Sequence, residues 1–449
     1  MKRKRLTIGI GIAVVFVGAV LFAARQAWFA IHGTERLSGP RQAIPQAVPT
    51  PRPVEKGQAD WPCWRGPTAD GKSSVTGIRK DWSNGLTKRW EVSFLCQGTH
   101  TATWSSPVVC GNRLIVPGRD EGSDLVFCLD SGNGDLIWFK SYEAKTRTSR
   151  GPGPRATPFI DQDRVYTFGR GGDLACWRLL DGELLWKQNV EDAGGKEPMW
   201  GHSSSPVVYE DKVFVQGGGR ALVVAYDKIT GRLAWKSAEG KAGYAALTPL
   251  KVEGTIRLLA FHSAGLACLD PSDGTTLWMV PWKTSYGVNA TTPAVADTTI
   301  FITSGYNTGC QAIKVENGQA RLLWHSKAIA SQHSDPVIID GFIYGYSGQS
   351  GQNAGYFKCV KLDSGDEKWS TGAVGWGTTT YVDGHLLCMD IKGNLSLVRP
   401  DPNRFERIAQ FKAALGELTD PAWTVPVVAN GRLYLRYMQR LVCYDLMPQ

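Results

Sequence analysis

The sequence predicts an all-β fold: an eight-bladed β-propeller of four-stranded antiparallel blades, closed by an N-terminal strand and preceded by one transmembrane helix. Three observations predict it. The phrase Leu125 to Trp138, LVFCLDSGNGDLIW, recurs with variation every 43 to 49 residues. Each copy follows two short runs of alternating apolar residues, so a unit reads strand, strand, strand, tight turn, strand. The last unit stops before its fourth strand, whereas Leu86 to Val92 is a fourth strand without predecessors. Joined, the two ends complete one sheet and close a ring, which removes exposed sheet edges.

Lys2, Arg3, Lys4 and Arg5 precede an uncharged, mostly apolar run from Leu6 to Ala24, just long enough to span a bilayer as a helix. The basic flank stays cytoplasmic by the positive-inside rule, and Trp28 and Phe29 suit the far interface. Residues 1–32 therefore read as a basic flank and uncleaved anchor, because no good small-x-small cleavage site follows the apolar run. Residues 33–59 read as a linker: Pro40, Pro45, Pro49, Pro51 and Pro53 lie among Gln, Ala and Arg with no apolar period. Extended proline-rich geometry gives it a reach of about 80 Å at roughly 3.1 Å per residue. Residues 60–449 form the propeller, which is then single-pass anchored to the cytoplasmic membrane and periplasmic.

The formal charge of +9 does not indicate nucleic acid. Nine Lys or Arg and two Glu among residues 1–58 account for +7, leaving +2 over the remaining chain. Without a basic stripe there is no counterion-release footprint.

The segment Trp61 to Gly71, WPCWRGPTADG, is dense in turn residues. Units one, two and three then begin at Pro107, Pro158 and Pro206 and end at Trp138, Trp186 and Trp235. Units four, five and six begin at Pro249, Pro293 and Pro336 and end at Trp278, Trp324 and Trp369. Unit seven, near Thr380, is worn and has no closing tryptophan; unit eight starts at Pro426 and ends at Asp445. The Gly169 to Gly172 and Gly217 to Gly219 stretches lie between second and third strands with no helix following, so they read as hairpin turns rather than phosphate cradles.

Ten cysteines in an exported chain suggest disulfides, but the repeat argues otherwise. Cys128, Cys176, Cys268 and Cys359 each stand ten residues before a closing tryptophan, and Cys443 holds the same place two before Asp445. Equivalent positions fall in different packed sheets about 10 Å apart, beyond the roughly 7 Å that a disulfide tolerates. These five are expected to fill the core. Cys63, Cys96, Cys110, Cys310 and Cys388 are left free to pair. No haem-attachment motif or zinc spacing occurs, and no metal site is expected.

The phrases Asp130-Ser-Gly-Asn-Gly134-Asp-Leu-Ile-Trp138, Asp227-Lys-Ile-Thr230-Gly231-Arg-Leu-Ala-Trp235 and Asp270-Pro-Ser-Asp-Gly274-Thr-Thr-Leu-Trp278 resemble the repeats of the pyrroloquinoline-quinone (PQQ)-like β-propeller family. The resemblance spans about residues 60 to 445. It implies that Trp90, Trp138, Trp186, Trp235, Trp278, Trp324 and Trp369 pack between neighbouring blades. The pattern is degraded at Arg178 to Trp186 and at Glu316 to Trp324.

Function is expected where the repeats differ. In a propeller the innermost strand lines the axial channel, so the loop leading into it borders one mouth. Three residues before the landmark prolines stand Trp104, Arg155, Ser203, Ala246, Ala290, His333 and Trp423, with Gly377 in the worn unit and His202, Asn289 and Trp376 adjacent. Of these, Trp104, Arg155, His202, Asn289, His333, Trp376 and Trp423 are the candidate ligand-binding residues, suited to a flat anionic or aromatic ligand. No catalytic set is legible: no Ser/His/Asp or paired-carboxylate spacing exceeds chance.

The family resemblance implies two classes of function. One is a non-enzymatic, monomeric scaffold, as in the lipoprotein propeller of the outer-membrane β-barrel assembly machinery, holding envelope proteins or peptides with no cofactor. This chain departs from it in having an apolar run and tether in place of a lipobox. The alternative is a quinoprotein oxidising alcohols or sugars through PQQ with calcium. The adjacent cysteine pair of the family's alcohol dehydrogenases does not occur here, and its calcium ligands and catalytic aspartate cannot be placed.

Overall fold

The computed structural model describes residues 41–47, 54, 57–98, 101–144, 151–349 and 355–448. These form eight four-stranded antiparallel sheets. Seven blades each take four consecutive strands, the first being Val108–Cys110, Arg113–Arg119, Ser123–Asp130 and Leu136–Glu143. Blade 8 is a composite. Its inner strands Val427–Ala429, Arg432–Tyr437 and Arg440–Asp445 come from the C-terminus and its outermost strand, Lys88–Val92, from the N-terminus. The expected ring closure is therefore present. The expected membrane helix falls on residues outside the described ones; among the described residues no helix is long and apolar enough to cross a membrane.

The core is divided into layers between blades. Val126 and Trp138 of blade 1 pack with Val165 and Trp177 of blade 2; Leu387 and Leu397 of blade 7 pack with Leu433 and Val442 of blade 8. Each sheet has two apolar faces, so the middle strands are buried throughout, as in Arg113–Arg119. The outermost strands are half exposed, as in Thr276–Pro281.

The repeated phrase builds the joints between these layers. In blade 1, Trp138 stands directly across the strand pair from Cys128, and the register shifts immediately afterwards in a β-bulge. Cys176, Cys268, Cys359 and Cys443 face Trp186, Trp278, Trp369 and Trp90 in the same way, while Ala225 and Ala312 face Trp235 and Trp324. A small residue opposite the indole lets the ring lean towards the next blade. There its N–H donates to a turn carbonyl: Trp90 to Ser131 at 3.3 Å, Trp138 to Leu179 at 3.0 Å, Trp186 to Lys228 at 3.2 Å, Trp235 to Pro271 at 3.0 Å, Trp324 to Leu362 at 2.8 Å and Trp369 to Asp401 at 2.7 Å.

The turn glycine of the phrase is the floor under that ring. A Cβ on Gly231 would stand 2.6 Å from Trp186 Cδ2, and one on Gly274 2.5 Å from Trp235 Cε3. Trp278 is the exception. Ahead of it blade 5 turns at Asn317 and Gly318, and Gly318 faces open space. The worn blade 7 substitutes Phe411, whose ring lies over Gly85 of the N-terminal segment. All ten cysteines are buried and free.

Candidate binding site at the channel mouth

The innermost strands surround the axis, and side chains just before the landmark prolines tie them to one another. Thr157 Oγ1 accepts from Ser106 N at 3.2 Å, Ser205 Oγ from Thr157 N at 2.9 Å, Asp335 Oδ1 from Thr292 N at 2.8 Å, and Ser106 Oγ from Val425 N at 3.3 Å. The Ser/Thr-Pro repetition in the sequence is therefore the channel's inner belt.

One end of this channel is filled. Trp61 exchanges backbone hydrogen bonds of 2.9 and 2.8 Å with Val109 of blade 1, and Pro62 accepts from Ile160 N of blade 2 at 2.8 Å. Trp64 Nε1 donates to Thr292 Oγ1 of blade 5 at 2.9 Å. Ser73 donates through its N–H to Tyr381 of blade 7 and through its hydroxyl to Val428 of blade 8, both at 2.8 Å. Arg65 lies 3.1 Å from Asp335 as an ion pair, both side chains about 95% buried, and also donates to the Pro336 carbonyl at 2.9 Å. The turn-rich segment WPCWRGPTADG, continued to Ser73, is thus a plug bridging six blades. Its signal in the sequence was present but unread: Asp335 is the one acid among the pre-proline Ser, Thr and Val positions, and an isolated acid on a channel wall calls for a cation.

The other end carries most of the residues expected at the mouth. His333 meets Trp423 edge-on with ring centroids 4.3 Å apart, and Trp376 lies 5.5 Å from His333 and 5.1 Å from Trp423. The Arg155 guanidinium sits 4.9 Å over Trp104, a cation–π arrangement. Burial, with Arg155 acting from nearby, holds His333 down to about 4, so it is neutral at physiological pH. The structure therefore gathers Trp104, Arg155, His333, Trp376 and Trp423. In this cluster Trp104 Nε1, His333 Nε2 and Trp376 Nε1 are buried and have no hydrogen-bond partner, a state that normally costs a few kcal/mol per group.

Two candidates stand elsewhere. His202 lies in the layer between blades 2 and 3, against Phe168 at 5.1 Å, with burial lowering it to about 4. Asn289 is consumed by the fold: it donates to the His262 carbonyl at 2.6 Å and accepts from Ser304 Oγ at 2.8 Å. Sequence adjacency placed both beside the mouth, but alternate residues of a loop point to opposite sides.

Beside the cluster runs a set of rings that sequence spacing did not reveal. Tyr244 and Trp200 lie 5.9 Å apart, Trp200 and Tyr286 6.2 Å, and Tyr286 and Tyr306 5.7 Å. Tyr286 is held in left-handed backbone, φ 63°, and is 65% exposed. Ser203, three before a landmark proline like most of the cluster residues, donates through its hydroxyl to the Tyr244 carbonyl at 3.0 Å, so the rings and the cluster share one face.

The profile of the family described as outer membrane protein assembly factor BamB matches residues 122–371, more than half of the chain. The chain belongs to this PQQ-like β-propeller family. The BamB of Yersinia pestis is 22% identical over 386 residues, spanning 81% of this chain and 90% of the relative. Among solved structures, BamB from Moraxella catarrhalis superimposes with a TM-score of 0.55 at 15% identity, covering 80% of this chain and 99% of the other. The quinohemoprotein alcohol dehydrogenase of Comamonas testosteroni gives 0.59 at 14% identity, covering 90% and 82%. At such identities the PQQ-like solved structures speak to fold, which scaffolds and oxidoreductases share.

Proposed function

We propose that this PQQ-like propeller is a membrane-tethered, extracytoplasmic scaffold that docks protein or peptide partners of the cell envelope at its open mouth face. The observation that carries the reading is the set of buried, unpartnered ring nitrogens of Trp104, His333 and Trp376 beside Arg155, on the face away from the plug. Relatives named as outer membrane protein assembly factors support a role in holding other envelope proteins. The basic flank and apolar run at the N-terminus support the tether and a periplasmic propeller. The scaffold works as a monomer, since the chain's own two ends close the ring in blade 8.

Quinone oxidoreduction is the competing reading, supported by the likeness to quinohemoprotein folds. The mouth does not suit calcium-bound PQQ. A hard cation takes six to eight oxygen ligands, whereas this cluster presents indole, imidazole and guanidinium. Among the described residues no group of three His, Cys, Asp or Glu side chains could hold a metal ion.

A photo-crosslinking residue placed at Tyr286, on the mouth face, tests the scaffold reading in intact cells. Leu180, 46% exposed on a turn between third and fourth strands and therefore at the opposite end, is the control. Cross-links to envelope proteins are expected from position 286 and not from 180. Equal labelling from both, or none from 286, would remove the reading.

A further inference from the structure

The plug decides what shape of ligand the mouth can take. His333 of the mouth cluster and Asp335, which anchors Arg65 of the plug, are two residues apart on one strand approach. The plug therefore closes the channel directly beneath the mouth cluster. An extended chain cannot thread through it, so a ligand enters from the mouth face, as a chain end or as a side chain.

The chemistry of the cluster's buried groups selects what enters. Two of the three unpartnered nitrogens, Trp104 Nε1 and Trp376 Nε1, are indole N–H groups that can only donate. Trp376 is 98% buried. Neutral His333 can donate as well, and Arg155 adds positive charge beside them. Unpartnered donors on one face beside a cation favour an anionic acceptor, and a free amino terminus, which only donates, is disfavoured. The rings of Tyr244, Trp200, Tyr286 and Tyr306 lead away from this point and offer apolar area for the residues that precede the end.

We propose that the mouth binds the C-terminal carboxylate of a partner polypeptide whose last residues include an aromatic or large aliphatic side chain. This rests on the scaffold reading and names the group that the scaffold holds. The carboxylate accepts from Trp104 Nε1, Trp376 Nε1 and His333, with Arg155 as counter-charge, while the penultimate side chains lie against the Trp200 and Tyr286 rings.

The test uses the full-length chain in detergent and fluorescence anisotropy with three fluorescein-labelled heptapeptides. The first ends in Leu-Phe as the free acid, the second is its C-terminal amide, and the third is that amide with Glu replacing the residue before Leu-Phe. The free acid is expected to bind about tenfold or more tightly than the amide, the scale of a lost charge-assisted hydrogen bond. W104F and W376F keep an aromatic ring and remove one donor, so each is expected to weaken the acid about fivefold or more while leaving the amide unchanged. R155Q is expected to erase the preference. Equal affinity for acid and amide overturns the proposal, as does the Glu-bearing amide matching the acid, which would make any carboxylate sufficient. If no peptide binds while cross-linking from position 286 persists, this inference fails and the scaffold reading stands. If the acid is preferred but cross-links are absent, the site stands and the envelope scaffold fails.

Discussion

At the scale of single residues, the joint between blades is one indole resting on one glycine. Gly231 has φ +71° and no room for a Cβ against Trp186, while Gly318 has nearly the same φ, +72°, and nothing within 4 Å. The pair separates backbone strain from docking. Gly318→Ala should cost about 1 kcal/mol, the left-handed penalty alone. Gly231→Ala should cost about 2–4 kcal/mol, because the ring, held by its bond to Lys228, must also be displaced. Urea denaturation of the two variants measures the difference; equal losses would mean the glycine serves only the turn. The phrase was legible as turn and strand, and the resemblance implied the Trp packing. What spacing could not supply was the partner of each ring, since that partner lies roughly forty residues away in the next blade.

At the scale of elements, the plug is the part whose role the sequence concealed. Its contacts run to six blades, and its one buried charge, Arg65, is matched by one buried acid, Asp335. Asp335→Ala leaves a buried guanidinium without a counter-ion and should destabilise the protein by about 3–5 kcal/mol in denaturant titration. The double replacement Arg65→Met with Asp335→Leu should recover most of that loss, because burying neither charge avoids both desolvation costs. A double variant as unstable as the single one would show that Arg65 serves chiefly through its bonds to the Pro336 and Asp70 carbonyls. Part of the proline-rich segment is also placed by the fold. Ile44 and Ala47 pack on the layer between blades 8 and 1, and Ala59 N donates to Asn430 at 3.0 Å. No apolar period marked these residues because they cover the propeller singly.

At the scale of the whole molecule, stability is shared among layers that titrate together. His202, His262 and His333, in separate parts of the ring, are each held down to about 4 chiefly by burial. In the unfolded chain a histidine titrates near 6.5. Between those values only the unfolded state binds the proton, so stability is complete above about pH 6.5 and falls as pH drops towards 4. Each histidine contributes up to about 1.4 kcal/mol per pH unit in that window. Asp124 acts the other way: burial raises it to about 6 despite Arg119 at 2.7 Å, so its contribution falls as pH rises from about 4 to 6. Three groups against one leave a net loss on acidification. Urea midpoints at about pH 7 and about pH 5 should show it, and His202→Gln should remove about a third of the histidine slope. A flat profile would mean that these histidines are hydrated in the native state.

The sequence by itself determined the blade count, the strand order and the composite closing blade, because each rests on local period and turn chemistry repeated many times, and the resemblance of its repeated phrases pointed to the family. It also marked the loops before the innermost strands as the place where copies differ. Only the tertiary structure decided which of those loop residues meet. Trp104, Arg155, His333, Trp376 and Trp423 come from five different blades and converge across the axis, whereas His202 and Asn289 turn into packed layers. Only the structure showed that WPCWRGPTADG closes the far end. The physical reason is the same in both cases. A repeat encodes contacts within a blade and to its neighbour, while the axis is where non-neighbouring blades face one another, and no local period records which side chains arrive there.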